Sequence, residues 1–545
     1  MAESATARSS ADAPVRTGEV SRRKLFVGSC IALLSTSLAF AVIGAVTVAL
    51  KQEFILSNSE VAWVIGANLW GFTITQAIFA PLCDRLGFRA LLRVAFAGHL
   101  LGTGLMVFAG GFWTLFAGAV VIGMSNGTVE AACNPLVATL YPEQKSVKLN
   151  QFHVWFPGGI AVGGVAAFLL DQAGLGFWQL KLGLIAVPTL IYGALMLFDR
   201  FPATENVQAG VSTTEMLKAT FLNPLMWLLL LAFSITASTE LGPNRWVPAV
   251  LQAGFEGQSG FEGFVGLGVL ILAYINGIMA MLRYYSDATV GRFSPTLILL
   301  AGTVVSAAGL LWLSYAQATV AIFLSATLFA VGVAYFWPTM LGLVAERIPR
   351  SGALGLGLMG GTGMAVVGLV TTPLMGDITD EYAHEQITSE NTQQVVSTFR
   401  EAAKTYPSMA EKAEGNFAQQ IRSAATSAQE VVSTYESTGT LPSPQTANAL
   451  RAIIDSQVAV ESVSSGGGAP LAEQASGIIG PADNYGGRVA FRYVVPFTGL
   501  LIFIFGGLWW HDRRRGGYQK RSIHQDGEER KEEMEEAQAE ARATK

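Results

Sequence analysis

Charged residues and cysteines are both scarce in this sequence. Of its 545 residues only 14% are charged, whereas soluble domains average about 25%. The three cysteines, Cys30, Cys83 and Cys133, lie in apolar stretches or at the end of one, so we expect no disulfide framework. The formal net charge of −5 gives no indication of a nucleic-acid partner.

Several motifs that carry chemistry are also missing. We find no Walker loop, no spacing of metal ligands and no nucleophile with an accompanying base. These absences argue against an enzyme and against an ATP-driven pump, and we expect neither a cofactor nor a metal. An intramembrane enzyme would need a catalytic pair that the sequence does not display.

Apolar residues are abundant instead, at 51% of the chain with a mean hydropathy of +0.42. At about 20 apolar residues per membrane span, the chain predicts an all-α membrane protein with twelve transmembrane helices. The six spans on each side of a polar linker suggest two six-helix pseudo-repeats. The predicted spans are 25–50, 61–82, 90–109, 112–140, 149–170 and 178–198, followed by 224–251, 261–282, 294–315, 318–344, 352–375 and 493–510.

The segments around these spans complete the predicted domain organisation. Lysine and arginine concentrate in loops on one side, Arg283 and Arg292 among them, which predicts that both termini are cytoplasmic. The regions are a disordered cytoplasmic N-terminus (1–24), an N-terminal bundle (25–201), a cytoplasmic linker (202–222), the C-terminal bundle helices 7–11 (223–375), an extracytoplasmic insertion (376–492), helix 12 (493–510) and a charged cytoplasmic tail (511–545).

The insertion between spans 11 and 12 is predicted to be helical. Apolar residues recur at steps of three, four and seven in 395–403, in 409–435 and in 450–459, with Pro407 and the prolines at 442 and 444 as helix boundaries. We expect a helical cap on the outer side of the membrane. A domain that binds a partner or a ligand is the alternative.

The loop after the second span carries a recognisable pattern, Ala80-Pro-Leu-Cys-Asp84-Arg85-Leu-Gly87-Phe-Arg89. It resembles the cytoplasmic signature of the major facilitator superfamily, and a degraded copy follows span eight at Asp287 and Arg292. An acid at a helix end can pair with arginines and with the dipole of a neighbouring helix, so these residues are predicted to form a conformational latch. The resemblance implies two six-helix halves that rock around a midplane cavity.

Two further motifs resemble the family of the fucose permease and the glucose/galactose:proton symporters. They are Glu130-Ala-Ala-Cys-Asn134-Pro135 in span four and Leu149-Asn150-Gln-Phe-His153 in span five. The sequence departs from that family in three places. Span one contains no acid, and His153 and Phe156 stand where the family has Gln and Asn. The identity of the sugar and the choice of H⁺ or Na⁺ therefore stay open.

Glu130 and His153 are the predicted proton-coupling residues. An acid inside a bilayer is costly unless it serves a function, and both side-chain types can exchange protons near neutral pH as their surroundings change. The structural alternative is a fixed hydrogen bond that joins spans four and five.

Seven other residues are predicted to contact the solute: Asn126, Asn150, Gln76, Asn276, Tyr335, Trp337 and Glu240. Amides offer a donor and an acceptor to hydroxyl groups, and aromatic rings suit the apolar faces of a sugar. The alternatives are hydrogen bonds between helices for the amides, an interfacial belt for the aromatics, and Arg245 or another base as an ion-pair partner for Glu240.

Together these features predict a secondary active transporter of a small polar solute, most similar to a monosaccharide:proton symporter. It would work as a monomer in a lipid bilayer, with the bacterial inner membrane favoured. The alternatives are an exporter or uniporter of another small solute, or a membrane sugar sensor that signals through the outer insertion.

Overall fold

The computed structural model describes residues 20–54, 56, 58–255, 267–464 and 469–523. Within those ranges every regular element is helical and no strand occurs. Most of the predicted N-terminal tail and the acidic part of the C-terminal tail lie outside the described residues.

The described residues from 20 to the end of the linker form nine α-helices. They are α1 (Arg22–Glu53), α2 (Asn58–Val107), α3 (Phe112–Leu140), α4 (Lys145–Phe152), α5 (Trp155–Gln172), α6 (Trp178–Gly183), α7 (Ala186–Met196), α8 (Glu205–Gln208) and α9 (Thr213–Phe221). The last two belong to the linker, and α9 begins with a capping box in which Ser212 and Glu215 satisfy each other's backbone amides.

After the linker, the part of the chain that the structure describes forms thirteen further α-helices. They are α10 (Pro224–Phe255), α11 (Leu267–Tyr284), α12 (Ser286–Thr289), α13 (Pro295–Tyr315), α14 (Thr319–Val333), α15 (Phe336–Arg347), α16 (Gly352–Val366), α17 (Thr372–Glu390), α18 (Thr392–Ala410), α19 (Gly415–Thr438), α20 (Gln445–Asp455), α21 (Gln457–Val463) and α22 (Ala469–Arg514). A π-helical turn, Val367–Thr371, joins α16 to α17.

Ten helical segments among the described residues are long and apolar enough to cross a membrane. One of them, Glu60–Val107, spans 48 residues, and Gly87 interrupts it with φ 76° and ψ 157°. Glycine reaches this conformation at no steric cost, so the chain can bend sharply there. A shorter apolar helix covers Leu270–Tyr284.

Two helix interruptions lie at the polar centre of the bundle. His153 and Val154 separate α4 from α5, and Ala334 and Tyr335 separate α14 from α15. Such breaks free backbone carbonyl groups to accept hydrogen bonds from side chains. The carbonyls of His153 and Ala334 do so in this structure, and both accept from the same arginine.

The N-terminal and C-terminal helices meet along three main contacts. Helix α2 packs on α16, α5 packs on α11, and α4 packs on α15. Glycines allow the first of these contacts to be close. A Cβ atom at Gly357 would lie 2.1 Å from the Cβ of Ala80, and one at Gly360 would lie 2.7 Å from Nε2 of Gln76.

The predicted insertion is helical and has its own apolar core, separate from that of the membrane helices. Helices α17 and α22 run through the predicted boundaries at 376 and 492 without a break and pack against each other. Arg451 of α20 joins both of them through ion pairs to Asp380 and Asp483.

Pro407 does not end a helix, contrary to the prediction. Helix α18 continues through it to Ala410, so Met409 belongs to α18 and not to the helix that follows. A proline this close to a helix C-terminus removes only one hydrogen bond from the final turns, and the helix tolerates it. The turn at 439–444 does separate α19 from α20, as predicted.

Candidate functional site

Glu130 lies on α3 and is fully enclosed, with only 1% of its surface exposed. Asn134, one helical turn further on, donates a hydrogen bond to Glu130 Oε2. Residues four apart share a helix face, so the sequence itself places these two side chains together. His153 Nε2 lies 3.5 Å from the same oxygen, and the predicted pairing of spans four and five is present.

The hydrogen bond made by the other ring nitrogen of His153 determines the tautomer of the neutral ring. Nδ1 lies 2.9 Å from the carbonyl oxygen of Leu149, and a carbonyl can only accept, so Nδ1 carries a hydrogen. In the neutral ring Nε2 is then an acceptor, and it faces a carboxylate oxygen that is also an acceptor. A single proton bound between Glu130 and His153 lets one group donate to the other, so the repulsion between two acceptors becomes an attraction.

Glu240 on α10 forms a buried ion pair with Arg283 on α11. Arg283 Nη2 donates to Glu240 Oε1 at 2.8 Å, and the two side chains are 1% and 2% exposed. Arg283 also donates through Nη1 to the carbonyl of His153 (3.1 Å) and through Nε to that of Ala334 (2.5 Å). Arg283 is thus a base that pairs with Glu240, one of the predicted alternatives, while the side chain of Arg245 lies outside the described residues.

The assignment of Arg283 to a cytoplasmic loop was wrong. Helix α11 continues to Tyr284, two residues past the predicted end of the span, and this places Arg283 inside the bundle. The buried Asn276 gave a signal that could have found it. Residues seven apart occupy the same helix face, and Arg283 follows Asn276 by that interval.

A cavity with about 230 Å³ of empty space lies between the N-terminal and C-terminal helices. Its lining consists of His153, Phe156, Glu240, Leu241, Arg283, Trp337 and Met364. Three predicted site residues from three different helical regions therefore meet at one cavity. Only the structure showed that Arg283 belongs to this site, where it bonds to the Glu240 side chain and to the His153 carbonyl.

The remaining predicted solute contacts are not part of this lining. Asn150 donates to Thr339 Oγ1 across the α4–α15 contact, and Tyr335 donates to the carbonyl of Leu282. Asn276 exchanges hydrogen bonds with Asn244. Gln76 is fully buried against the glycines of α16, and neither polar atom of its amide has a hydrogen-bond partner among the described residues.

Asn126 belongs to a different group of side chains. It donates to Asn68 Oδ1 at 3.0 Å and accepts from His99 Nε2 at 2.8 Å, while His99 Nδ1 lies 3.0 Å from the hydroxyl of Tyr192. These four residues connect α2, α3 and α7 within the N-terminal helices. His99 was missed from sequence, although a histidine inside an apolar run is itself a signal.

The predicted latch residues occupy one end of the bundle. Asp84 Oδ2 accepts from Asn206 of the linker helix α8 at 3.4 Å, and Asn206 also donates to the carbonyl of Arg350. Arg89 donates to the carbonyl of Asp199. The partner of Asp84 is thus an asparagine of the linker, which the sequence did not suggest.

The copy of the latch motif bridges the two sets of helices at this same end. Asp287 accepts from Gln151 of α4 at 3.0 Å. Arg85 and Arg292 are exposed, and Gly87 supplies the bend described above. A second cavity with about 330 Å³ of empty space opens beside Asp84 and Asn206. Among the described residues no group of three or more His, Cys, Asp or Glu side chains converges on a metal position.

Glu346 at the end of α15 is a further polar centre that sequence reasoning missed. It accepts from the backbone amide of Ser146 at 3.1 Å and from the hydroxyl of Tyr518 at 2.8 Å, and Lys520 lies 3.5 Å away. Burial and the neighbouring Glu346 carboxylate raise the pKa of Tyr518 well above its usual value, so this phenol keeps its proton. The segment after α22 is therefore joined to the end of α15.

The family model described as the Major Facilitator Superfamily matches residues 25–372. The chain is 28% identical over 153 residues to the D-xylose transporter of Levilactobacillus brevis, a match that covers 27% of this chain and 33% of that protein. It is 26% identical over 300 residues to a candidate niacin/nicotinamide transporter, NiaP, of Bacillus subtilis (strain 168), with coverages of 53% and 72%.

Two solved structures share the fold over most of their own length. One is the transporter FucP in the outward conformation, with a TM-score of 0.54, 18% identity and coverage of 65% of this chain and 92% of that chain. The other is the proton:xylose symporter XylE, with a TM-score of 0.56, 14% identity and coverages of 67% and 90%. At these identities the likeness concerns the fold.

Proposed function

The chain belongs to the Major Facilitator Superfamily, and we propose that it moves a monosaccharide or a similar small polar solute by proton symport. The predicted superfamily is thereby confirmed, and with it the expectation of a transporter instead of an enzyme. The likeness to a D-xylose transporter and to a proton:xylose symporter supports the sugar and the proton. The name of a third relative refers to niacin and nicotinamide, so the test includes those solutes.

In this proposal twelve helices cross the membrane. The long segment Glu60–Val107 contributes two spans because it bends at Gly87, and Leu270–Tyr284 contributes one more. Both termini and the latch end then face the cytoplasm of a bacterial cell, and the bundle α18–α21 lies outside. The transporter acts as a monomer in the inner membrane.

The observation that carries the proposal is the arrangement of Glu130 and His153 beside the cavity. Because Nδ1 of His153 is committed to the Leu149 carbonyl, the neutral ring and the Glu130 carboxylate present two acceptors to each other at 3.5 Å. One proton makes this pair stable, and its loss makes the pair repulsive. A conformational change that separates them would release that proton.

The cavity places solute and proton within reach of each other. His153 lines it, and Arg283 holds the His153 carbonyl from the C-terminal side. A movement of the two sets of helices must therefore alter both the cavity and the surroundings of the pair. In this proposal the hydrogen bonds of Asp84, Asp287 and Glu346 hold the latch end shut.

The test is uptake into proteoliposomes with an imposed inward proton gradient. Labelled D-xylose, L-fucose, D-glucose and D-galactose are compared with nicotinate and nicotinamide. We expect one sugar to accumulate against its own gradient in the parent protein. With Glu130→Gln we expect sugar exchange to persist while accumulation is lost, because the pair can no longer take up a proton.

Glu430→Gln is the matched control, since Glu430 is an exposed glutamate on α19, and it should accumulate sugar as the parent does. If no sugar moves under any gradient while nicotinate or nicotinamide does, the monosaccharide proposal is wrong. Accumulation that survives in Glu130→Gln would remove this residue from proton coupling.

A further inference from the structure

Two side chains of the cavity lining each carry a polar atom that has no hydrogen-bond partner among the described residues: Oε2 of Glu240 and Nε1 of Trp337. Their side chains are at most 6% exposed. Buried polar atoms are nearly always paired in folded proteins, so two unpaired atoms on side chains that line one cavity indicate a ligand that pairs them. Glu240 Oε2 offers an acceptor and Trp337 Nε1 offers a donor, while Nε2 of His153 faces Glu130.

Arg283, the arginine of the cavity lining, belongs to an ion pair that has no net charge. Glu240 neutralises Arg283 at 2.8 Å, and two backbone carbonyls take two more of its N–H groups. An anionic solute would therefore meet a neutral ion pair. It would also meet the unpaired oxygen of Glu240, which carries a like charge.

A neutral polyol suits the same atoms. A hydroxyl group can donate to Glu240 Oε2, and a second hydroxyl can accept from Trp337 Nε1. The apolar side chains of Phe156, Leu241 and Met364 complete the lining, as is usual for small-molecule sites with few polar groups.

We infer that the Glu240–Arg283 pair makes this cavity select neutral polyhydroxylated solutes and reject carboxylates of the same size. The inference rests on the proposed transport function and narrows its solute class. In this inference Glu240 contributes to solute specificity in two ways. Its charge cancels that of Arg283, and its second carboxylate oxygen accepts a hydrogen bond from a solute hydroxyl.

Binding to the full-length protein in detergent tests this directly, since binding needs no proton gradient. D-Glucose and D-galactose are compared with D-glucuronate and D-galacturonate, which differ by one carboxylate, using calorimetry or tryptophan fluorescence. We expect the uronate of the preferred sugar to bind at least about 100-fold more weakly, because facing like charges across a dry site is costly. With Glu240→Gln we expect this ratio to shift toward the uronate, since Arg283 is then uncompensated.

The double variant Glu240→Gln with Arg283→Gln is the matched control. It removes both charges and should keep the preference for the neutral sugar. If Glu240→Gln fails to fold, the ratio in the parent protein still decides the question. Equal binding of hexose and uronate, or preferred binding of uronate, would overturn the selectivity while leaving sugar transport intact. If neither sugar nor uronate binds, the proposed sugar function fails together with the inference.

Discussion

Two buried polar clusters in this protein use similar side chains and differ in how completely those side chains are paired. The N-terminal network consists of Asn68, His99, Asn126 and Tyr192. Both nitrogens of His99 and both side-chain polar atoms of Asn126 have partners. The cavity cluster consists of Glu130, His153, Glu240, Arg283 and Trp337, and Glu240 and Trp337 each carry a polar atom that has none among the described residues.

The difference separates a structural role from a functional one. A fully paired network stabilises one arrangement of its side chains, and it has no unused donor or acceptor for a solute. A partly paired cluster costs the folded protein about 1–3 kcal/mol for each unsatisfied group. Such a cost is tolerated where a solute or a proton supplies the missing partner. Four substitutions test this distinction, in order of expected effect.

Arg283→Leu should have the largest effect, because it leaves Glu240 as a buried and unpaired charge. We expect a loss of about 3–5 kcal/mol in the free energy of unfolding, measured by denaturant titration in mixed micelles, together with loss of transport. Adding Glu240→Leu should recover much of that stability, because an apolar pair of similar volume is often neutral. If the double variant were no more stable than Arg283→Leu, the unpaired Glu240 charge would not be the cause of the lost stability.

His99→Leu should destabilise the N-terminal network without affecting solute binding. It leaves Asn126 Oδ1 and the Tyr192 hydroxyl without their present partner, and we expect a loss of about 2 kcal/mol in unfolding free energy. The solute Kd of the surviving folded fraction should equal that of the parent protein. A large rise in Kd with unchanged stability would place this network in the transport site.

Trp337→Phe tests the cavity cluster with a minimal change. The ring packs edge-on against Phe233 at 4.7 Å between centroids, and phenylalanine preserves much of that contact. We expect nearly unchanged stability and a solute affinity lower by up to about tenfold, because one hydrogen bond to the solute is lost. Trp227→Phe is the control, since Trp227 Nε1 donates to the carbonyl of Phe221 at the surface. Equal effects of the two variants on solute affinity would contradict the assignment of Trp337 to the solute site.

Tyr192→Phe is the counterpart of that change in the paired network, and its effect should be the smallest. It removes one hydroxyl that lies 3.0 Å from His99 Nδ1. We expect about 1 kcal/mol less unfolding free energy, with transport rate and Kd unaltered. If this variant reduced transport as strongly as Trp337→Phe does, the two clusters would not differ in function.

The sequence predicted the class of protein and part of its site. Apolar runs are local, so hydropathy predicted the membrane helices, and the motifs around Asp84 and Glu130 predicted the superfamily that the family model confirms. The contact between Glu130 and His153 was also predicted, because both lie in motifs on consecutive spans. The error at Arg283 arose because hydropathy assigns a base at the end of an apolar run to a loop.

By itself, then, the sequence determined which stretches enter a membrane and which polar residues they carry, because burial in lipid depends on composition within about 20 consecutive residues. The tertiary structure alone decided which of those residues are paired. Helix rotation and depth are set by packing between distant segments, such as α2 on α16 and α5 on α11. Only that packing brought Arg283 to Glu240, enclosed Asn126 with His99, and left Trp337 unpaired at the cavity.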